Sequence, residues 1–338
     1  MAESVTHAEP DNEFADITHR PGAVSLPDGG QPTVRRAWVN VPTGGHVSAV
    51  VWGKAQPEIV FLHDARRSAR AWDEVAVEVG RPVVAVDLPG HGRSNWRRDG
   101  RYEPRKLAPG VAEAIRSFAP RARLVVGDGL GALTALALAQ RHSALLPAVA
   151  LVDTLPGAQS RAKEPPDGQF PAEGTAPGSR PTSGGEAPRR FATPEEARAA
   201  LAGSRPGWPD PVLRQEVRTE LEAEPDGRWA WRHHPGNLPD AASLAFDDPS
   251  LWSELAGLGG AAFLIRGEES ARLAEADLAA LSARAPRAHV IIVPRVTQDL
   301  VVEAPAALAA RLLDLLATSA SPGQASAIPA NHQGGSSR

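Results

Sequence analysis

The chain has 338 residues, 42% hydrophobic and 22% charged, enough to bury one full core in a single domain with length to spare for tails and an insertion. Its formal net charge of -4 carries no basic excess, which argues against a nucleic-acid footprint or an anionic-membrane anchor and favours a small apolar or weakly polar organic ligand. Cysteine is absent, which excludes a disulfide scaffold, a cysteine-based zinc site and a cysteine nucleophile together.

Residues 1–33 are polar and scattered with Pro, Gly and Asp, and they read as a flexible arm without the apolar core of a secretory signal. No later run is long enough to span a membrane, so the cytoplasm is the expected compartment. Two strand-like runs, Arg36-Ala37-Trp38-Val39-Asn40-Val41 and Val47-Ser48-Ala49-Val50-Val51-Trp52, flank Pro42-Thr43-Gly44-Gly45 and predict a hairpin. Glu58-Ile59-Val60-Phe61-Leu62 is an apolar run too short for a helix, and it ends in His63-Asp64. Residues 71–80 carry an imperfect helical period, and Pro82-Val83-Val84-Ala85-Val86-Asp87 predicts another buried strand. A helix over 107–118, a strand over 122–126 and a small-residue helix over 132–140 follow. Between the last two stands Val125-Val126-Gly127-Asp128-Gly129-Leu130-Gly131-Ala132, read as a strand end, a tight glycine turn and a helix start.

Ala148-Val149-Ala150-Leu151-Val152-Asp153 is one more strand. Strands alternating with helices, each strand a near-continuous apolar run, predict a mostly parallel sheet covered on both faces. Residues 156–190 turn to Pro, Gly, Ser and Glu and read as a mobile insertion. Helix signals over 194–201 and 211–222 then alternate with Arg228-Trp229-Ala230-Trp231-Arg232-His233-His234, so that residues 156–255 form a candidate lid. Trp208, Trp229, Trp231 and Trp252 pack this region or line a pocket, and His233-His234 reads as an exposed pair with no further metal ligand at a suitable spacing. The sheet pattern resumes in Ala261-Ala262-Phe263-Leu264-Ile265-Arg266-Gly267 and Ala288-His289-Val290-Ile291-Ile292-Val293-Pro294, and a helix over 305–318 closes the domain of residues 34–318. Residues 319–338 are a Ser/Gly/Ala/Pro tail expected to be disordered.

The order of these landmarks resembles the α/β-hydrolase superfamily over residues 36–317: "LHD" after the third strand, then "VDLPGHGRS", "VVGDGLGALTALALA", "LVDTLP", "FLIRG" and "VIIVP". The resemblance implies an α/β-hydrolase fold, with an eight-stranded, mostly parallel sheet, helices on both faces and a lid. It also implies a nucleophile elbow of the G-x-S-x-G kind at 127–131, a turn that presents the nucleophile at the top of the sheet. Gly127 and Gly131 hold the outer places of that motif, but its centre is Gly129, which has no side chain with which to attack. The family's histidine loop reads Thr297-Gln298 where Gly-His is expected, and Gln298 cannot take a proton near neutral pH. The family's acid falls at Asp153 or, after the seventh strand, at Ser270, with Glu268 or Glu269 as substitutes if that loop is shifted. Oxyanion donors would be the backbone N–H groups of Leu130 and of Asp64 or Ala65, which do not depend on side-chain identity.

The implied site therefore comprises His63, Asp64, Ala65, Asp128, Gly129, Leu130, Asp153 and Gln298, at the carboxyl ends of the strands, with no cofactor or metal implied. Three readings follow. The protein is a pseudo-hydrolase that binds a small molecule or partner. Alternatively it is a lyase, cyclase or isomerase using Asp128, Asp153 or His63, or an ester, lactone or epoxide hydrolase with non-standard catalytic residues. The first is the leading expectation, because neither replacement is chemically conservative.

Overall fold

The computed structural model describes residues 13–14, 17, 33–42, 44–158, 190–205, 207–234, 249–297 and 299–318. Most of the predicted arm, nearly all of the 156–190 insertion, the tail and Gln298 lie outside the described residues.

Eight strands form one sheet: β1 (Val34–Asn40), β2 (His46–Trp52), β3 (Ile59–Leu62), β4 (Val83–Val86), β5 (Leu124–Asp128), β6 (Val149–Val152) and, after the three short strands named below, β10 (Ala262–Gly267) and β11 (His289–Val293), in the spatial order β1-β2-β4-β3-β5-β6-β10-β11. Strand β2 pairs antiparallel with β1 and β4, and every other pairing in this sheet is parallel. The parallel strands are joined by α1 (Asp73–Val79), α2 (Pro104–Phe118), α3 (Leu130–His142) and, further on, α7 (Glu275–Arg284), and α8 (Leu300–Glu303) and α9 (Pro305–Thr318) follow the last strand. This is the expected α/β-hydrolase fold.

Both faces of the sheet are buried, which is why the central strands read as unbroken apolar runs. Along β3, Val60 and Leu62 enter the core under α2 and α3, whereas Ile59 and Phe61 enter the core under α1 and α9. Alternation of side chains across a strand divides such a run between two layers. Strand β11 departs from the pattern: its apolar sequence is exposed at Val290 (46%) and Ile292 (58%), because it is the last strand in the order and nothing described covers its outer side.

Residues 190–234 build a smaller unit on the sheet's carboxyl end. Strands β7 (Arg190–Phe191), β8 (Leu221–Ala223) and β9 (Trp229–Trp231) form an antiparallel three-stranded sheet beside α4 (Pro194–Ser204) and α5 (Asp210–Glu220). Helix α4 starts on Thr193, whose hydroxyl accepts the Glu196 N–H, and on Pro194 at its first position. The unit is tied to the loop after β3 by Arg67, which donates to both carboxylate oxygens of Glu216 at 3.2 Å, and by Ser68, which donates to Glu220. It is tied to the loop after β4 by the His234 N–H donating to the Gly90 carbonyl at 2.8 Å. Helix α6 (Pro249–Leu258) returns the chain to the sheet and buries Trp252 in the main core. Among the described residues, no helix is long and apolar enough to cross a membrane.

Candidate active site

The turn between β5 and α3 places Gly129 at φ 50° and ψ -118°, a conformation that a residue with a Cβ adopts only under strain. The outer glycines are required by contact. A Cβ on Gly127 would lie 2.4 Å from Ala132 N, and one on Gly131 would lie 2.2 Å from the Leu62 carbonyl oxygen. Thr154 secures the turn by accepting the Gly129 N–H at 2.9 Å and donating to the Val152 carbonyl at 2.7 Å.

Above Gly129 lies the side chain of Asp64. Its Oδ1 accepts the backbone N–H of Leu130 at 2.9 Å and that of Ala65 at 2.8 Å. A Cβ built on Gly129 would stand 1.7 Å from that same oxygen. The amides that sequence reasoning assigned to an oxyanion thus converge on one oxygen, and that oxygen belongs to the chain.

Asp128 is buried, and Arg272 Nη1 donates to its Oδ1 at 3.1 Å. Burial pushes its carboxyl up to about 7; Arg272 pulls the other way, and Asp64 and Asp299 add to the rise. The two positions proposed for the acid touch each other: Ser270 Oγ donates to Asp153 Oδ2, while among the described residues Asp153 Oδ1 is buried without a partner. Asp153 is held at φ 45°, uncommon for a residue other than glycine, and its burial raises its pKa. Glu268 and Glu269 do not reach this cluster. Both are exposed, and Glu268 accepts from the Arg295 N–H, so a shifted acid is not found there.

His63 has no free nitrogen for acid–base work. Its Nδ1 donates to the Asp64 carbonyl at 2.7 Å and its Nε2 accepts the Leu88 N–H at 3.0 Å, which fixes a neutral ring that ties the β3 loop to the β4 loop. Burial lowers its pKa in keeping with that. His233 and His234, expected to be exposed, are partly buried: His234 packs on Trp96 and Tyr102, and burial drives His233 down to about 3.

The structure thus gathers His63, Asp64, Ala65, Asp128, Gly129, Leu130 and Asp153 at the carboxyl ends of β3, β5 and β6, as open α/β sheets gather their ligand groups. Sequence reasoning missed the cations around them. Arg67, Arg205 and Arg272 act electrostatically on this cluster from three separate segments, as does Asp299, the N-cap of α8. No spacing motif links residues that the fold alone brings together. Trp208 carries two of these cations on its ring, Arg67 at 5.1 Å and Arg205 at 4.9 Å. No group of three or more metal-ligating side chains occurs among the described residues.

The fold, the glycine-framed turn and the converging amides define an α/β hydrolase, and comparison with known proteins agrees. The Alpha/beta hydrolase family matches residues 59–311, well over half of the chain, and the chain belongs to that family. Esterase Rv0045c of Mycobacterium tuberculosis is 35% identical over 241 residues, covering 71% of this chain and 76% of that protein. A crystal structure of that esterase superposes with a TM-score of 0.71 at 29% identity, covering 92% of this chain and 100% of the other. The thioesterase domain from the curacin biosynthetic pathway shares the fold at a TM-score of 0.67 and 19% identity, covering 83% of this chain and 99% of the other. Relatives named as esterases fit an ester hydrolase better than the pseudo-hydrolase first expected.

Proposed function

We propose that the protein is an ester hydrolase that works without a serine nucleophile, its proton transfers carried by Asp128. The observation that carries this reading is a buried carboxyl at the elbow whose Oδ1 accepts from Arg272 at 3.1 Å, with burial raising its pKa to about 7. A group titrating near the working pH is the efficient choice for taking a proton and returning it. The ionised carboxylate would take a proton from water as the water oxygen bonds to the ester carbonyl carbon. The tetrahedral intermediate would then expel the alkoxide, which receives that proton from Asp128, giving acid and alcohol. Arg272, 3.1 Å away, steadies the ionised form. Similarity to Esterase Rv0045c supports the substrate class, and the segment expected as a lid, residues 156–255, would cover the site.

The test is hydrolysis of p-nitrophenyl acetate. We expect turnover with a pH limb near 7, a loss of about 10²-fold or more in Asp128→Asn, and no adduct with a fluorophosphonate. Turnover indifferent to Asp128→Asn, or a serine adduct, would refute the assignment.

One observation favours a second reading. The Asp64 carboxylate occupies the amides on which an ester oxyanion would depend, which supports a pseudo-hydrolase that binds a small apolar or weakly polar ligand. Saturable binding of such a ligand without turnover by the wild type would decide for it.

A further inference from the structure

Residues 1–33 read as a flexible arm, yet Glu13, Phe14 and Ile17 are seated on the domain. Phe14 and Ile17 are buried, at 8% and 3% exposure, in the core layer under α1 and α9. The Ile17 N–H donates to the Phe14 carbonyl at 3.0 Å, a turn that brings both side chains to the same layer.

The seat is built from three arginines of separate segments. Arg36 of β1 donates through Nε and Nη2 to the Glu13 carboxylate, and Arg93, in the loop after β4, meets the same carboxylate at 3.4 Å. Arg70, in the turn before α1, donates from Nη1 to the Glu13 carbonyl at 2.7 Å. The guanidinium carbons of Arg36 and Arg70 lie 6.0 Å and 5.1 Å from the centre of the Phe14 ring, within reach of its negative face.

The arginines are held by the domain itself. Asp87 accepts from Arg36 Nη1 at 2.6 Å and Asp73 from Arg70 Nε at 2.5 Å. Asp87 also accepts the N–H groups of Ala69 and Arg93, at 2.7 Å and 3.1 Å, which joins the loops after β3 and β4 to the seat. A preorganised seat lowers the ordering cost of binding a short peptide. A guanidinium as buried as that of Arg36, whose side chain is 8% exposed, favours a contacting carboxylate. Residues 18–32, 15 positions, separate Ile17 from Thr33. That much chain reaches roughly 50 Å, so the neighbouring strand does not impose the segment's position.

We propose that Arg36, Arg70 and Arg93, with the apolar layer under α1 and α9, form a recognition site for a peptide segment bearing a carboxylate, an adjacent aromatic ring and an aliphatic residue three positions further on. The chain fills the site with its own Glu13, Phe14 and Ile17, and the same segment of a second copy competes for it. The site is separate from Asp128 and stands whether or not the protein cleaves esters.

Fluorescence anisotropy with a labelled peptide of residues 10–20 tests this on the full chain. The tethered segment competes at an effective concentration on the order of millimolar, so Phe14→Ala with Ile17→Ala, which removes its anchors, should bind the peptide about tenfold or more tighter than the wild type. Peptides carrying Glu13→Ala or Phe14→Ala should bind that variant about tenfold or more weakly than the natural peptide. The proposal is overturned if the variant binds no tighter than the wild type, or takes the substituted peptides equally well. Should the double variant not fold, amide exchange of the wild type decides. A segment held as a ligand opens by itself, so the Ile17 N–H should exchange about a hundredfold or more faster than the Phe61 N–H of β3. Equal protection of the two would show a piece of the core and sink the idea.

Discussion

Restoring a serine at the elbow by Gly129→Ser meets two obstacles. The first is the backbone: at φ 50° and ψ -118° a residue with a Cβ is strained by about 1–3 kcal/mol. The second is Asp64, whose Oδ1 and Cγ lie 1.7 Å and 2.1 Å from the new Cβ, so the carboxylate must leave its seat. That breaks two hydrogen bonds from backbone amides, each contributing roughly 0.5–1.5 kcal/mol net, and the total comes to roughly 2–6 kcal/mol. The backbone alone would give only the lower part of that range. Once Asp64→Ala has emptied the seat, adding Gly129→Ser should incur the backbone share alone, about 1–3 kcal/mol. Urea unfolding of the wild type, both single variants and the double variant completes a mutant cycle, in which the two changes should partly compensate by about 1–3 kcal/mol. Additivity within about 0.5 kcal/mol would show that Asp64 does not occupy the serine's place and would refute the reasoning.

Catalytically, Gly129→Ser should remain without serine esterase activity and unlabelled by a fluorophosphonate, since the sequence offers Gln298, which cannot accept a proton, where the family resemblance expects the histidine; strong labelling would contradict this. Thr154→Val leaves the buried Gly129 N–H without its acceptor and should lower stability by about 1–3 kcal/mol in urea unfolding. Arg67→Ala strips the buried Glu216 of its partner and should be destabilising by about 3–5 kcal/mol, whereas Arg67→Met with Glu216→Leu should recover most of the loss. Glu220, pushed up to about 8 by burial and by Glu216, binds a proton in the folded state that the unfolded chain gives up at lower pH, so its contribution is present below its unfolded pKa and is lost as pH rises toward 8. Unfolding free energy should therefore fall between about pH 5 and about pH 9, and Glu220→Gln should flatten the slope; an unchanged slope would place the proton elsewhere.

The architecture was legible because its causes are local and repeated. Short apolar runs such as Val83-Val84-Ala85-Val86 and Ile59-Val60-Phe61-Leu62 can be buried strands of that length and little else, and Gly127 and Gly131 mark where strand and helix backbones touch. Absence was legible too: Gly129 shows by itself that this turn presents no hydroxyl. The sequence could not show what fills the space instead. Asp64 lies 65 positions before Gly129 and Arg272 lies 144 after its partner Asp128, and neither separation has a period, since the fold alone brings these residues together. The acid illustrates the same limit: Asp153 and Ser270 were rival positions in one dimension and are hydrogen-bonded neighbours in three. His63 appeared as an acid–base candidate until its two nitrogens were found engaged by the Asp64 carbonyl and the Leu88 amide. Composition and pattern determined which elements form and that residue 129 carries no hydroxyl, because propensity, burial and steric approach act over a few residues. Ionisation, pairing and occupancy of the site were decided by tertiary structure, because charge and hydrogen bonding depend on distance in space.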